Sequence, residues 1–193
     1  MERKRGLTLT DVLITVVIGL VFAVIYSIWG AVYTVLQPLG LHLNELVYGM
    51  WFIAAVVAVL ILRKPGVAIL AEFAAGAGET IVTLQFDAFL MVYALLQGLA
   101  VEIVFAFTKY ESTRMMTAVW AGIAAALITL PLDWFYGYLA EVAAWNIILM
   151  FTLRIISGAL IAGVLAHLIY QALRETGVLK FVGSRNMKHH EGL

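Results

Sequence analysis

The sequence predicts an all-α integral membrane protein: a single membrane domain over residues 1–193, built as a bundle of six transmembrane helices with both termini on the cytoplasmic side. Three observations carry that expectation. Hydrophobic residues make up 64% of the chain and charged residues 12%, where an ordinary soluble domain has roughly 45–50% and about 25%. Six apolar runs reach or approach the length of about 20 residues that a spanning helix needs; they lie at 10–36, 45–62, 66–84, 88–108, 115–131 and 146–173. Lys and Arg fall in alternate connections, which is how membrane orientation is written in a sequence.

The first run is longer than a bilayer requires, so it tilts or projects. It is too long for a signal-peptide core and no small-x-small cleavage site follows it, so it reads as a retained helix. Gln37-Pro38-Leu39-Gly40 ends it. Arg63-Lys64-Pro65-Gly66 separates the second run from the third, with proline near a helix start, where its missing N–H costs nothing. Lys109 to Arg114 separates the fourth from the fifth, and Pro131 is expected to close the fifth. The last run also exceeds the bilayer.

Charge sets the direction. The N-terminus carries Arg3, Lys4 and Arg5; the second connection carries Arg63 and Lys64. The fourth carries Lys109 and Arg114, and the tail carries Arg174, Lys180, Arg185 and Lys188. The first, third and fifth connections carry neither Lys nor Arg. Eleven of the twelve basic residues therefore sort to one side, as an even number of spans with both ends inside requires. The twelfth, Arg154, lies within the last run. The formal net charge is zero, which gives no reason to expect nucleic acid as a partner, and the absence of cysteine excludes disulfides and thiolate metal sites.

The outer side is acidic and aromatic. Glu45, Asp87, Asp133 and Glu141 lie in or beside its connections, with Glu45 expected on a wet loop. Trp29, Trp51, Trp134 and Trp145 gather there with Tyr33, Tyr48, Tyr136 and Tyr138. Two readings stand side by side. One is an aromatic belt at the membrane interface. The other is a pocket open to the exterior, suited to a flat organic cation through stacking, cation–π attraction and ion pairing.

Ionisable groups inside spans are costly and mark functional or paired positions. Glu72 and Glu79, seven residues apart, share one face of the third helix. Either could bind a ligand or serve a structural partner. Glu102, in the inner half of the fourth helix, is expected to make a structural or coupling contact. Arg154 needs a carboxylate partner, with Glu72 or Glu102 the expected choices. Tyr93 and Gln97 share a face of the fourth helix, and Asn146 opens the last helix beside Trp145; each is a ligand contact or an interhelical hydrogen bond. His42 and His167 are isolated, and His189 and His190 sit in a polar tail; no metal site or cofactor is expected.

Small residues recur four apart at Gly19, Ala23 and Ser27, at Gly158, Ala162 and Ala166, and at Ala159 and Gly163. Such stripes let helices approach closely, within the chain or against another membrane subunit. No metalloprotease, Walker or nucleophile-elbow motif occurs, which argues against an enzyme. Six spans with an outer pocket and no hydrolytic domain point to a capture subunit driven by something else.

The run Tyr48-Gly49-Met50-Trp51-Phe52, then Arg63-Lys64-Pro65-Gly66, Ala71-Glu72 and Gly78-Glu79, resembles the YkoE-type substrate-binding (S) components of energy-coupling-factor (ECF) vitamin transporters. The resemblance extends over about residues 10–182. It implies a six-helix S component of the cell membrane that captures thiamine or its hydroxymethylpyrimidine portion from outside. It also implies partnership with a transmembrane coupling (T) protein and cytoplasmic ATPases. On this resemblance Gly19, Ala23 and Ser27 are expected to face the coupling protein. Glu79, Glu72, Trp51, Tyr48, Trp134, Asp133, Tyr93, Gln97 and Asn146 are the expected substrate contacts. Two alternatives stand beside this reading: an S component for another vitamin or organic cation, and a small membrane scaffold or enzyme.

Overall fold

The computed structural model describes residues 6–179. Arg3, Lys4, Arg5, Lys180, Arg185, Lys188, His189 and His190 lie outside them. The described residues form six helical rods, one for each apolar run. These are α1 (Leu9–Leu36), α2 (Leu43–Leu62), α3 (Val67–Thr83), α4 (Ala88–Phe107), α5 (Met115–Phe135) and α6 (Ala144–Glu175). Five are long and apolar enough to cross a membrane. The exception is α3, whose 17 residues rise only about 25 Å at 1.5 Å per residue.

The second rod is the central post. It begins as a 3-10 helix (Leu43–Phe52) and continues as an α-helix (Ile53–Leu62). From Phe52 to Leu60 no residue is more than 2% exposed. A segment apolar on every side is stable only when other elements enclose it, and Ile53-Ala-Ala-Val-Val-Ala-Val-Leu has no polar face to offer. The other rods pack around it.

Small residues decide how close those rods come. A Cβ added at Gly19 would lie 2.6 Å from that of Ala74, and one added at Gly78 would lie 2.5 Å from that of Ala23. The stripe on α1 is thus taken up by α3. Ala23 is 1% exposed, and Ser27 hydrogen-bonds the carbonyl of Ala23 on its own helix. This corrects the expectation for Gly19 and Ala23, which pack against α3 and leave no face for a partner protein; Ser27 is half-buried, and the outward face of α1 carries Leu13, Val17, Val21, Val24 and Ile28. Gly122 and Gly158 place the backbones of α5 and α6 against each other, and α6 widens there into a π-helical stretch, Gly158–Leu165.

Pro131 does not close α5. The helix continues to Phe135 with Pro131 inside it, and the extra turn carries Asp133 into the bundle.

At the end of the bundle holding the basic connections, backbone groups are satisfied by side chains. Glu102 accepts from Gly66 N at 2.6 Å and Ala68 N at 3.0 Å, capping α3 from a neighbouring helix. Asp11 closes a capping box with Thr8 and pairs with Lys64 at 2.6 Å. Glu102 is therefore a structural residue here and no partner of Arg154. Replacing it with alanine strands two N–H donors, so Glu102→Ala should lower stability by about 1–3 kcal/mol. Thermal unfolding in detergent measures this; a midpoint equal to the parent's would contradict the cap, and Glu102→Gln should fall between.

Candidate functional site

Opposite the capped end, the rods diverge around a cavity of about 540 Å³, within the range of small-molecule sites. Its walls come from Tyr26 and Tyr33 on α1, Glu45, Tyr48 and Trp51 on α2, and Glu72, Gly76 and Glu79 on α3. Asp87 at the head of α4, Tyr93 and Gln97 on α4, Asp133 on α5, Tyr138 in the following connection and Arg154 on α6 complete it.

Arg154 organises one side. Its Nε donates to Glu45 at 2.6 Å, and its Nη1 donates to Asp133 at 2.7 Å and to the Thr129 hydroxyl at 2.6 Å. The guanidinium also lies 3.9 Å from the centre of the Tyr48 ring. Tyr33 donates to the second oxygen of Glu45 at 2.9 Å, and Tyr93 donates to the second oxygen of Asp133. The partners expected from the sequence, Glu72 and Glu102, are both elsewhere. Glu45 is also no wet-loop acid: it is 2% exposed, because the chain turns inward through left-handed Leu41 and His42 and starts α2 early. An arginine this deep draws whichever acids the helix ends can bring to it.

The other side is built on the acids of α3. Glu72, 1% exposed, accepts from Tyr26 Oη at 3.1 Å and from Ala55 N at 3.1 Å. Glu79 accepts from the Trp51 indole N–H at 3.1 Å through one oxygen; its other oxygen is buried with no hydrogen-bond partner among the described residues. A desolvated carboxylate oxygen left without a donor is costly unless something else supplies one. Trp51, Tyr48 and Tyr33 form an aromatic group beside it, with centroids 5.2–6.2 Å apart.

Five carboxylates (Glu45, Glu72, Glu79, Asp87 and Asp133) therefore face the cavity with one guanidinium. Arg154 is already shared between two of them, so the lining carries a formal excess of four negative charges when all are ionised. An aromatic enclosure with that charge favours a cationic ring.

Of the expected contacts, Glu79, Glu72, Trp51, Tyr48, Asp133, Tyr93 and Gln97 meet in this one cavity. Trp134 and Asn146 do not. Trp134 is 68% exposed on the outside of α5, one helical position past Asp133, where a ring at the end of a span faces the interface. Asn146 bonds His42 at 3.3 Å and ties α6 to the turn before α2. Sequence reasoning missed Tyr26 and Arg154 as wall residues; it placed Tyr33 and Glu45 in the outer aromatic and acidic group without choosing them as contacts. Tyr26 and Tyr33 are seven apart on one face of α1, a signal that was available. Among the described residues, no group of three His, Asp or Glu side chains is set to hold a metal ion.

Comparison with known proteins gives three similarities. Residues 10–128 match the family described as "ABC-type cobalt transport system, permease component". A protein of Bacillus subtilis (strain 168), YkoE, whose name assigns it as an HMP/thiamine permease, is 32% identical over 170 residues. That match covers 88% of this chain and 85% of the relative. The crystal structure of an S-component of an ECF transporter is 32% identical and superposes with a TM-score of 0.84 over 96% of both chains.

The Arg154 cluster makes a direct prediction. Arg154→Met strands two buried carboxylates at once, so it should cost about 3–5 kcal/mol of stability. Glu45→Gln leaves the Asp133 pair intact and should cost less. Thermal unfolding of the two variants in detergent ranks them; the reverse order would contradict Arg154 as the shared partner of both acids.

Proposed function

We infer the function from the family to which the chain belongs, the YkoE-type S components of ECF transporters, which are transport subunits and not enzymes. We read this chain as the subunit that captures thiamine, or its hydroxymethylpyrimidine (HMP) precursor, in the cavity just described. It would hand that ligand to a transmembrane coupling protein driven by cytoplasmic ATPases. The name borne by the Bacillus subtilis relative supports that ligand class.

The observation that carries the reading is the free oxygen of Glu79. It lies in an aromatic, acid-rich cavity and lacks a donor. A thiazolium ring brings a fixed positive charge that such an oxygen would offset, and the Trp51 and Tyr48 rings beside it offer stacking surface. An aminopyrimidine brings donors and acceptors for Gln97, whose side chain makes no hydrogen bond among the described residues. In this account Glu79 and the aromatic group of α2 contact the ligand, while Arg154 and Asp133 hold the wall.

The Lys and Arg pattern supports an orientation with both termini and the 63–66 and 109–114 connections cytoplasmic, so that the cavity opens outward. The short α3 then completes six spans, sheltered by α1 and α4 and helped by local thinning of the bilayer.

Two measurements test this. Isothermal titration of the purified protein should detect binding of thiamine or HMP and none of a neutral vitamin of other shape. Glu79→Gln should weaken thiamine by about 30-fold or more, since losing one charge of a desolvated pair costs about 2–5 kcal/mol and each 1.4 kcal/mol is tenfold. A folded Glu79→Gln protein that binds thiamine like the parent would falsify the role of that carboxylate. For orientation, single cysteines at His42 and Gly137 should react with an impermeant thiol reagent on intact cells, and one at Gly183 should not; labelling of Gly183 alone would invert the topology.

A further inference from the structure

The second rod changes pitch in mid-course, and the change has a chemical cause. Where a break interrupts a helical run, the N–H groups just after it need partners from elsewhere, as at a helix start. In α2 the break is at Phe52, whose φ of −138° and ψ of 13° leave the helical run, and the N–H groups of Ala54 and Ala55 beyond it bond side chains. Ile53 N bonds the carbonyl of Met50 and keeps the 3-10 pattern. Ala54 N donates to Tyr26 Oη at 3.1 Å, and Ala55 N donates to Glu72 Oε2 at 3.1 Å. Tyr26 in turn donates to Glu72. A tyrosine on α1 and a glutamate on α3 thus cap a helix start buried in the middle of the protein, and the carboxylate faces the positive end of that helix.

The pitch matters because of what lies before the switch. With three residues per turn, side chains at i and i+3 eclipse. Glu45, Tyr48 and Trp51 are spaced by three and all line the cavity. In an α-helix the same three would drift by about 60° per step, carrying Trp51 about 120° away from Glu45. The single row exists only while the segment remains 3-10 as far as Phe52.

We propose that Glu72 and Tyr26 are positioning residues for the cavity: together they hold the 3-10-to-α switch of α2, which lines up Glu45, Tyr48 and Trp51 along one wall. This rests on the reading of the cavity as the ligand site. It assigns Glu72 a different task from Glu79, although both lie on one face of α3. Glu79 keeps an oxygen free for the ligand, whereas both oxygens of Glu72 are occupied by Tyr26 and Ala55.

The test follows the Trp51 indole directly. The protein is labelled with 5-fluorotryptophan, and the Trp51 fluorine resonance is assigned through Trp51→Phe. Without ligand, Tyr26→Phe and Glu72→Leu should both move or broaden the Trp51 resonance while those of Trp120 and Trp145 stay in place. Both variants should bind thiamine and a neutral analogue, with thiophene for thiazolium, more weakly by the same factor, about tenfold or more. Glu72→Gln, which keeps an acceptor for Ala55 N but no charge, should preserve the ratio of the two affinities. The proposal is overturned by an unmoved Trp51 resonance in folded Tyr26→Phe protein, the milder variant. It is also overturned by Glu72→Gln weakening thiamine alone, since that marks a direct charge contact. A parent protein that binds neither compound would refute the thiamine reading, while the ligand-free fluorine spectra would still decide the positioning role.

Discussion

Among the described residues, Arg154 is the one positive charge beside the carboxylates of the cavity, and the open half of the bundle is arranged around keeping it paired. Its partners come from α2 and α5, and their second oxygens are held by tyrosines from α1 and α4. Five of the six rods therefore meet in one polar cluster whose Arg154, Glu45 and Asp133 are buried, so a lost bond there is costly. Such a cluster adds little net stability over an apolar packing of equal volume, but it is specific. It fixes which turn of each helix faces the cavity, and so it sets the register that brings Tyr48 beneath the guanidinium.

The same demand for satisfied polar groups governs the backbone. A spanning segment can leave regular helical geometry only where neighbours take up the freed N–H and C=O groups. In this protein each departure has its partner: Glu102 at the start of α3, Tyr26 and Glu72 at the pitch change of α2, and the Ser157 hydroxyl, which accepts from Gly49 N at 2.8 Å beside the π-helical stretch of α6. Small residues make these side chains reachable. Were Gly19 and Gly78 larger, α1 and α3 would stand apart, and Tyr26 could not reach Glu72.

How much of this was legible in the sequence follows from the range of each interaction. The six apolar runs are local sums over many residues, and each appears as a rod with ends displaced by a few positions. Glu79, Glu72, Trp51, Tyr48, Tyr93, Gln97 and Asp133 could be singled out because ionisable and hydrogen-bonding groups beside apolar runs stand out one at a time. The pairing of Arg154 could not be read, because any acid at similar depth satisfies the same rule and only the three-dimensional arrangement selects Glu45 and Asp133. Glu45 was misjudged for a related reason: an acid at the edge of an apolar run reads as part of a wet loop, and only the inward turn at Leu41 and His42 buries it. Nor can a stripe such as Gly19, Ala23 and Ser27 say which helix fills it, since small residues promote every close approach alike.

The charge of the cavity also bears on how a transport subunit of this kind works. A lining with a free carboxylate oxygen and a ready aromatic group is organised before any ligand arrives, so little of the attraction would be lost to rearrangement. On the proposed reading the same preorganisation would make release difficult, because a departing cation would leave Glu79 desolvated and without a donor. Opening the cavity to water on the far side would remove that penalty, but it requires separating helices that the Arg154 cluster and the small-residue contacts hold together. Work of that size must come from outside the chain's own contacts. On the proposed reading, capture by this subunit and an energy source in its partners would be two consequences of one arrangement of charge.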